Sequence, residues 1–530
     1  MPPPDRGALG VAETLRSLAV EVARTAAASD LESGGSAPAR DSAAARRYQR
    51  LTWALVAALF LGRLWLCRRF ELAGDEAYFW LWSRRLAWGY FSKGPGIAAL
   101  IRLGTALGGT SELGVRLAAV VASAGASLGI FALGRALYSA RVGFWTVVVA
   151  NTTPLFCAGS LLATADMPSI CLWTWSAVLL WRLRAGGGLA RWAGLGALVG
   201  LGTLVRFVVA AEPVCFALYL AAAPAGRRRL REPGFWLMLA VAAACLLPWI
   251  GWERAHGWIT WDHLRARGAL DRPWGLHPRA LGEFLALQVA VVLPYSAGAV
   301  VAWCGGAARR LDADAWRFLT ALSLPLFGFY TLLAFNAPGQ PNWTGPAFVA
   351  AGLLMVAVFL DFAERRPAVR RLNLAAVAAG VGGAVAVHLA LAAFWLPAGH
   401  DPLVRLRGGS DLAAQVTVAA RRTGAAFVIG SHYQVASLVA FYQTGQPAAL
   451  PVFTPCGPRP ANQLDLWGGY GEEWAGRDGL FVEAEGGVPA DLARQFAAIE
   501  ALPAVEARWH GRAVHRYGLF LCHRLLRGCA

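Results

Sequence analysis

The sequence predicts a polytopic α-helical membrane protein with an α/β unit after its last span, and three observations predict it. Of 530 residues, 57% are hydrophobic and only 15% charged, against about 25% charged in average soluble domains. Apolar runs of the length a helix needs to cross ~30 Å of hydrocarbon recur along the chain. Arginine-rich segments occupy alternate intervals between those runs, and residues 397–530 lose the long apolar runs altogether. This composition excludes a disordered chain, which needs low hydrophobicity. It also argues against nucleic-acid binding, where a basic excess sits on a polar, soluble fold. The formal net charge is +17, from 49 Lys+Arg against 32 Asp+Glu, and Lys93 is the sole lysine.

Residues 1–50 are rich in Ala, Ser, Pro, Asp and Arg and contain no run long enough to span a bilayer. They are expected to form a flexible cytoplasmic leader ending in Arg46, Arg47 and Arg50. The first apolar segment starts too late for a signal peptide. Spans are expected at about 51–67, 112–135, 142–159, 167–183, 192–210, 211–224, 234–252, 281–303, 316–335, 343–361 and 374–396, eleven in all. Glu212-Pro213 interrupts the stretch that holds the fifth and sixth. Arg135/Arg141, Arg182/Arg184/Arg191, Arg227 to Arg231, Arg309/Arg310 and Arg365/Arg366/Arg370/Arg371 fall on alternate loops. The positive-inside rule assigns them and the leader to the cytoplasm. The N-terminus is then inside the plasma (inner) membrane. Outside it lie the loops 68–111, 160–166 and 253–280, the turn 336–342 and the C-terminal part.

The expected division is a leader, 1–50, a transmembrane domain, 51–396, and an extracytoplasmic α/β domain, 397–530. In the last, helix-like stretches (410–422, 433–443, 489–499) alternate with strand-like runs at 426–429, 480–482 and 518–521, separated by Gly, Pro and Asn. Most of the nine cysteines lie in apolar runs, as small buried side chains do. Cys456, Cys522 and Cys529 fall on the oxidising side, where one disulfide among them is open. No cysteine spacing suggests a metal site.

The richest chemistry lies in the first external loop, where Asp75-Glu76 follows the first span and Lys93 sits in the turn Ser92-Lys93-Gly94-Pro95-Gly96. Between them runs an aromatic stretch suited to the headgroup layer, with Tyr78 and Tyr90 as candidate substrate contacts. Two readings are open. A carboxylate there could accept a proton from an attacking hydroxyl while Lys93 holds a phosphate. Alternatively, Asp75 and Glu76 cap a surface helix and Lys93 snorkels. Arg84 and Arg85 add positive charge on a side where it is normally sparse, which favours an anionic partner. Asp166, where loop 160–166 meets the next span, either caps that helix beside Pro168 or faces the same cavity as Asp75.

In loop 253–280, His263, Arg265 and Arg267 read as a phosphate clamp, and His256 as a substrate contact, against a solvated basic loop with interfacial Trp anchors. Arg206 lies within an apolar run, so it either faces a cavity or marks a helix end. Asn342 and Trp343, in the turn Pro341-Asn342-Trp343, could bind a sugar or simply link two helices. Tyr433-Gln434 and Asp465-Leu466-Trp467 have sugar-contact chemistry of low specificity. There is no Walker A, HExxH or GxSxG motif.

The Asp-Glu pair after the first span, the Tyr90-Phe91-Ser92-Lys93-Gly94-Pro95 turn and the Ala163-Thr164-Ala165-Asp166-Met167-Pro168 turn together resemble the GT-C membrane glycosyltransferases. More narrowly, they are similar to the protein O-mannosyltransferase-like group that includes the lipid A aminoarabinose transferase. The likeness runs from about residue 50 onward and takes in the His256-Gly257-Trp258 segment, Pro341-Asn342-Trp343 and Leu464 to Trp467. It implies an inverting transferase that moves a hexosyl or pentosyl group from a polyprenyl-phosphate donor to an envelope acceptor on the periplasmic face. That acceptor could be lipid A, another glycolipid, a polysaccharide or a protein. The same resemblance implies a catalytic acid at Asp75, with Glu76 beside it, and a second at Asp166, with Lys93, Arg265 and Arg267 near the donor phosphate; Arg84 joins that phosphate set by its charge on the outer side. Relatives in the aminoarabinose branch can carry an acid just before the loop lysine, paired with a histidine as a metal site. Ser92 stands there instead, so no cofactor is expected to be required, and a divalent metal stays open only with His263 as its candidate ligand. Many relatives also have Lys where this chain has Arg206.

Two other classes compete with this reading. A flippase of lipid-linked glycans would place ionisable residues at mid-membrane depth in repeated halves, whereas the acids here cluster in loops and no half-repeat is visible. A non-catalytic envelope-assembly scaffold would need neither Asp75 nor Lys93.

Overall fold

The computed structural model describes residues 39–529 apart from 223–225, 272, 305, 338, 394–399, 402, 447–448, 458 and 485. Most of the expected leader, residues 1–38, lies outside the described residues. The helical part is built from α1 Ala39–Leu66, α2 Gly74–Arg84, α3 Gly96–Gly108, α4 Glu112–Leu137, α5 Ala140–Asn151, α6 Pro154–Gly159, α7 Asp166–Leu183 and α8 Leu189–Val205. It continues with α9 Glu212–Ala222, α10 Pro233–Ala255, α11 Ile259–Arg267, α12 Pro278–Ala290, α13 Ser296–Cys304, α14 Ala313–Asn336, α15 Gly345–Arg365 and α16 Pro367–Ala392.

Local chemistry sets these boundaries. Ser111 caps α4 by accepting from Gly114 N at 3.1 Å, and Asp312 caps α14 by accepting from Asp314 N and Ala315 N at 2.9 Å. Both satisfy N–H groups that a helix start leaves unpaired. Among the described residues, five helices are long and apolar enough to cross a membrane: α4, α10, α14, α15 with the turn before it, and α16. The protein is multi-pass, but eleven unbroken spans are a finer count than the helices give. The expected span 142–159 splits between α5 and α6, where Thr153 caps the second piece ahead of Pro154. The span 281–303 splits between α12 and α13 around Pro294, which cannot donate to a helix. The span 192–210 ends at Val205, because Arg206 is extended (φ −155°, ψ 124°). Loop 68–111 in turn contains two helices, α2 and α3.

The apolar faces of α4, α5, α7, α8, α9, α14 and α15 close into one core around Trp173, Phe216, Phe318 and Leu353. By contrast, α16 is exposed along most of its length, as a helix bathed in lipid would be.

Beyond it come α17 Gly409–Thr423, β1 Phe427–Gly430, α18 Tyr433–Gln443, β2 Val452–Phe453, β3 Gly479–Glu483, β4 Phe496–Trp509 and β5 Arg512–Leu525. The strands form one sheet in the order β2-β1-β3-β5-β4, with β1 parallel to β2 and β3, and β5 antiparallel to β3 and β4. The expected helix at 489–499 does not form. Only Ala490–Ala493 is helical, and β4 begins at Phe496 because it pairs along β5 from Phe496↔Leu525 onward. Such pairing between distant segments overrides weak local propensity. Cys456 and Cys529 are disulfide-bonded, with Cα atoms 5.8 Å apart, while Cys522 is a buried free thiol in β5.

The α/β unit is tied to the first loop by polar contacts along α2. Gly409 N at the start of α17 donates to Glu71 Oε2 (2.7 Å). Tyr442 Oη accepts from Leu72 N (2.9 Å) and donates to Glu112 Oε1 (3.2 Å). Gln463 N donates to Tyr78 Oη (2.6 Å), and Phe91 N donates to Gln463 Oε1 (2.7 Å).

Candidate active site

Asp75 and Glu76 are neighbours in sequence with opposite environments. Glu76 is buried and faces Arg116 of α4, whose side chain is fully buried as well. Its Oε2 also accepts from Ala73 N (2.9 Å), capping α2, and its Oε1 from Ala163 N (2.8 Å). Arg116 uses its remaining donors on the carbonyls of Cys67, Phe70 and Glu71 at 2.7–3.2 Å. All of these groups are committed to holding α1, α2 and the 160–166 loop around α4. Glu76, expected as catalytic, is therefore placed as a structural hub. Asp75 is exposed, and its Oδ1 accepts from Tyr433 Oη and Gln434 Nε2, each at 3.0 Å.

Lys93 is half-buried in a turn closed by hydrogen bonds between Tyr90 and Lys93 (3.0 and 3.4 Å), with Nζ 5.6 Å from the Phe79 ring centre. Gly94 sets where that turn sits. A Cβ on it would lie 2.5 Å from Leu204 O, so only glycine lets the turn rest against the end of α8. The next residue after Val205 is Arg206, and the contact brings Lys93 and Arg206 into one charge cluster. Arg267, at the end of α11, is the third cation. Burial, with Arg206 and Arg267 adding repulsion, pushes Lys93 down to about 8, while Asp75 acts in the opposite sense.

Arg206 pairs with Asp166, whose carboxylate also accepts from Thr164 Oγ1 (2.8 Å) and Asn342 Nδ2 (3.1 Å). Asp166 lies in the first turn of α7. Arg267 lies over Trp343, 5.8 Å from its ring centre, and Trp343 meets Tyr330 at 5.4 Å.

The structure thus brings together Asp75, Lys93, Asp166, Arg267, His263, Asn342, Trp343 and Tyr433 from the sequence expectations. Arg265 instead lies 4.0 Å from Asp262 on its own helix, and Arg84 is exposed on the last turn of α2. His256 is exposed and stacked on Trp252 at 4.0 Å. Tyr90 is buried and stacked on Trp82 at 4.5 Å, and Tyr78 has its hydroxyl committed to Gln463 N. Both tyrosines pack the loop.

Arg116, Tyr330 and Phe79 take part in the site or its support although the sequence alone does not single them out. Arg116 carried a signal, since a charge inside an apolar run is costly unless paired. His263 meets the Phe91 ring at 5.0 Å. Burial, with Arg267 and then Lys93, lowers it to about 4, so it is neutral at pH 7. Arg267 and Lys93 both act on His263, and Ser92 stands where the aminoarabinose branch can carry an acid, a cationic setting that disfavours a divalent ion there. Among the described residues no group of three or more His, Cys, Asp or Glu could hold a metal ion.

Chemically, then, the site combines a carboxylate with one oxygen fixed, three cations suited to a phosphate, and a neutral imidazole. The profile of the dolichyl-phosphate-mannose-protein mannosyltransferase family matches residues 92–252, which include Lys93, Asp166 and Arg206. Over those residues the chain is similar to the GT-C membrane glycosyltransferases. It is 28% identical to the lipid A galacturonosyltransferase RgtD of Rhizobium johnstonii over 67% of this chain and 74% of that protein. It is 31% identical to the undecaprenyl phosphate-α-4-amino-4-deoxy-L-arabinose arabinosyl transferase of Pseudomonas aeruginosa (strain UCBPP-PA14) over 54% of this chain, and spans about half (52%) of that protein. In fold it is similar to apo ArnT from Cupriavidus metallidurans, with a TM-score of 0.60 at 16% identity over 90% of this chain and 98% of that one.

Proposed function

We propose that the chain is an inverting glycosyltransferase of the inner membrane, moving a sugar from a polyprenyl-phosphate donor to an envelope acceptor on the periplasmic face. One observation carries this reading: Lys93, Arg206 and Arg267 converge beside Asp75 in the loops between spans, where a lipid-linked phosphate can be reached from the bilayer. The named activities of the two relatives support it.

In this reading the donor phosphate lies against Lys93 and Arg267, with Arg206 held in place by Asp166. An acceptor hydroxyl attacks the anomeric carbon from the face opposite the phosphate. The C1–O bond to phosphate breaks, its electron pair leaves on the phosphate oxygen, and polyprenyl phosphate departs stabilised by the cations. Asp75 takes the hydroxyl proton. Where the acceptor is itself a phosphate, no proton needs to move and Asp75 orients the attacking oxygen. Back-side attack inverts the anomeric configuration.

Reconstitution tests the reading: purified protein in liposomes, radiolabelled undecaprenyl-phosphate sugars as donors, and an envelope lipid extract as acceptor. Transfer of label into the extract, dependent on the protein, is expected. Label that only crosses the bilayer, still linked to undecaprenyl phosphate, would mean a flippase.

A further inference from the structure

We propose that Tyr433 and Gln434 are positioning residues for Asp75, so that the α/β unit completes the active site. The inference rests on the role given to Asp75 above. Both side chains donate to the same oxygen, Oδ1, at 3.0 Å. Oδ2 is left without a protein donor among the described residues, and so is available to substrate. A carboxylate on an exposed helix start would otherwise rotate freely. Two donors on one oxygen fix both its rotamer and which oxygen is left to substrate.

The donors are themselves held. The Tyr433 ring packs at 4.3 Å from the Tyr78 ring and 4.2 Å from the His432 ring. A Cβ on Gly74 would lie 2.4 Å from the Cβ of Gln434, so the first turns of α2 and α18 touch directly. At its other end α18 is anchored through Tyr442 to Leu72 and Glu112, and Phe441 meets Trp80 edge-on at 5.0 Å. Because α18 lies along α2 and is fixed at both ends, the position of Asp75 Oδ1 is set by a segment more than 350 residues away in sequence. The expectation that Tyr433 binds substrate changes accordingly: its hydroxyl proton is committed to Asp75, and it acts through that residue.

The test is steady-state transfer by the full-length protein in nanodiscs, with direct binding of undecaprenyl phosphate and thermal melting measured in parallel. Tyr433→Phe keeps the ring contacts and removes only the donor, and Gln434→Leu removes the other. Each should lower kcat about 10-fold, and the pair about 100-fold, as expected for donors worth roughly 1.4 kcal/mol apiece. Donor KM, undecaprenyl-phosphate affinity and melting temperature should stay unchanged. A raised KM with unchanged kcat would overturn the inference in favour of direct substrate contact. Loss of melting temperature in step with activity would overturn it in favour of a purely structural role, and unchanged kinetics would overturn it outright. A wild-type protein that transfers no sugar from any polyprenyl-phosphate donor would instead overturn the functional reading and this inference together.

Discussion

Arg116 and Glu76 form a two-point pair inside the protein, Nε to Oε1 at 2.8 Å and NH2 to Oε2 at 2.7 Å. The next residue back, Asp75, faces outward toward the α/β unit. One residue step along α2 therefore separates a buried anchor from an exposed carboxylate available for chemistry.

That separation predicts opposite phenotypes. Asp75→Asn should cost about 10²–10⁴ in transfer rate while leaving the melting temperature intact. Glu76→Gln should leave Arg116 buried and half-paired, and lower stability by roughly 3–5 kcal/mol. Thermal melts of the purified variants beside transfer assays check both. A stable Glu76→Gln protein without activity would reverse the assignment of the two acids.

Lys93 gives a pH prediction. Because burial and neighbouring cations lower it to about 8, its positive charge is present below that pH and lost above it. Affinity for undecaprenyl phosphate should therefore fall as pH rises through about 8 in the wild type. Lys93→Arg stays charged and should bind with little change over the same interval. Lys93→Met should bind weakly at every pH. Equilibrium binding across the pH range reads all three.

Chelation should leave the rate within about twofold, because the surroundings of His263 are cationic and oppose a divalent ion. Transfer rates with and without EDTA decide it, and recovery by an added divalent cation would show that a metal site exists.

Gly74 is predicted to be intolerant of side chains. Gly74→Val would drive α18 away from α2 and release Tyr433 and Gln434 from Asp75. Activity should fall at least as far as in the Tyr433/Gln434 double variant, and limited proteolysis should cut more readily between the α/β unit and the membrane part.

Cys456 and Cys529 should resist thiol labelling until reduced, and Cys456→Ser should destabilise the α/β unit by about 2–4 kcal/mol. Labelling with a membrane-impermeant reagent after reduction also tests whether this unit lies outside the cytoplasm.

Much of the helical part was legible because the length of an apolar run is a local signal. The breaks at Thr153, Pro294 and Arg206 were harder to read, since a run can stay apolar while its backbone turns. In the site, Asp75, Lys93 and Asp166 stood out as charged residues in the loops between expected spans. Their sorting did not, because the partners are remote: Arg116 for Glu76, Arg206 for Asp166, Gln434 for Asp75. Arg267 was indistinguishable from Arg265 in sequence, and only the end of α11 turns one of them toward Lys93. The strand β4 was missed for the same reason, since its evidence lies in β5.

The most direct measurement is mass spectrometry of envelope lipids and glycans from cells that carry the wild-type gene, no gene, or the Asp75→Asn variant. The account predicts one sugar-modified envelope species present with the wild type and absent from both other strains, with the variant protein still in the membrane. An unchanged species in the Asp75→Asn strain would contradict it.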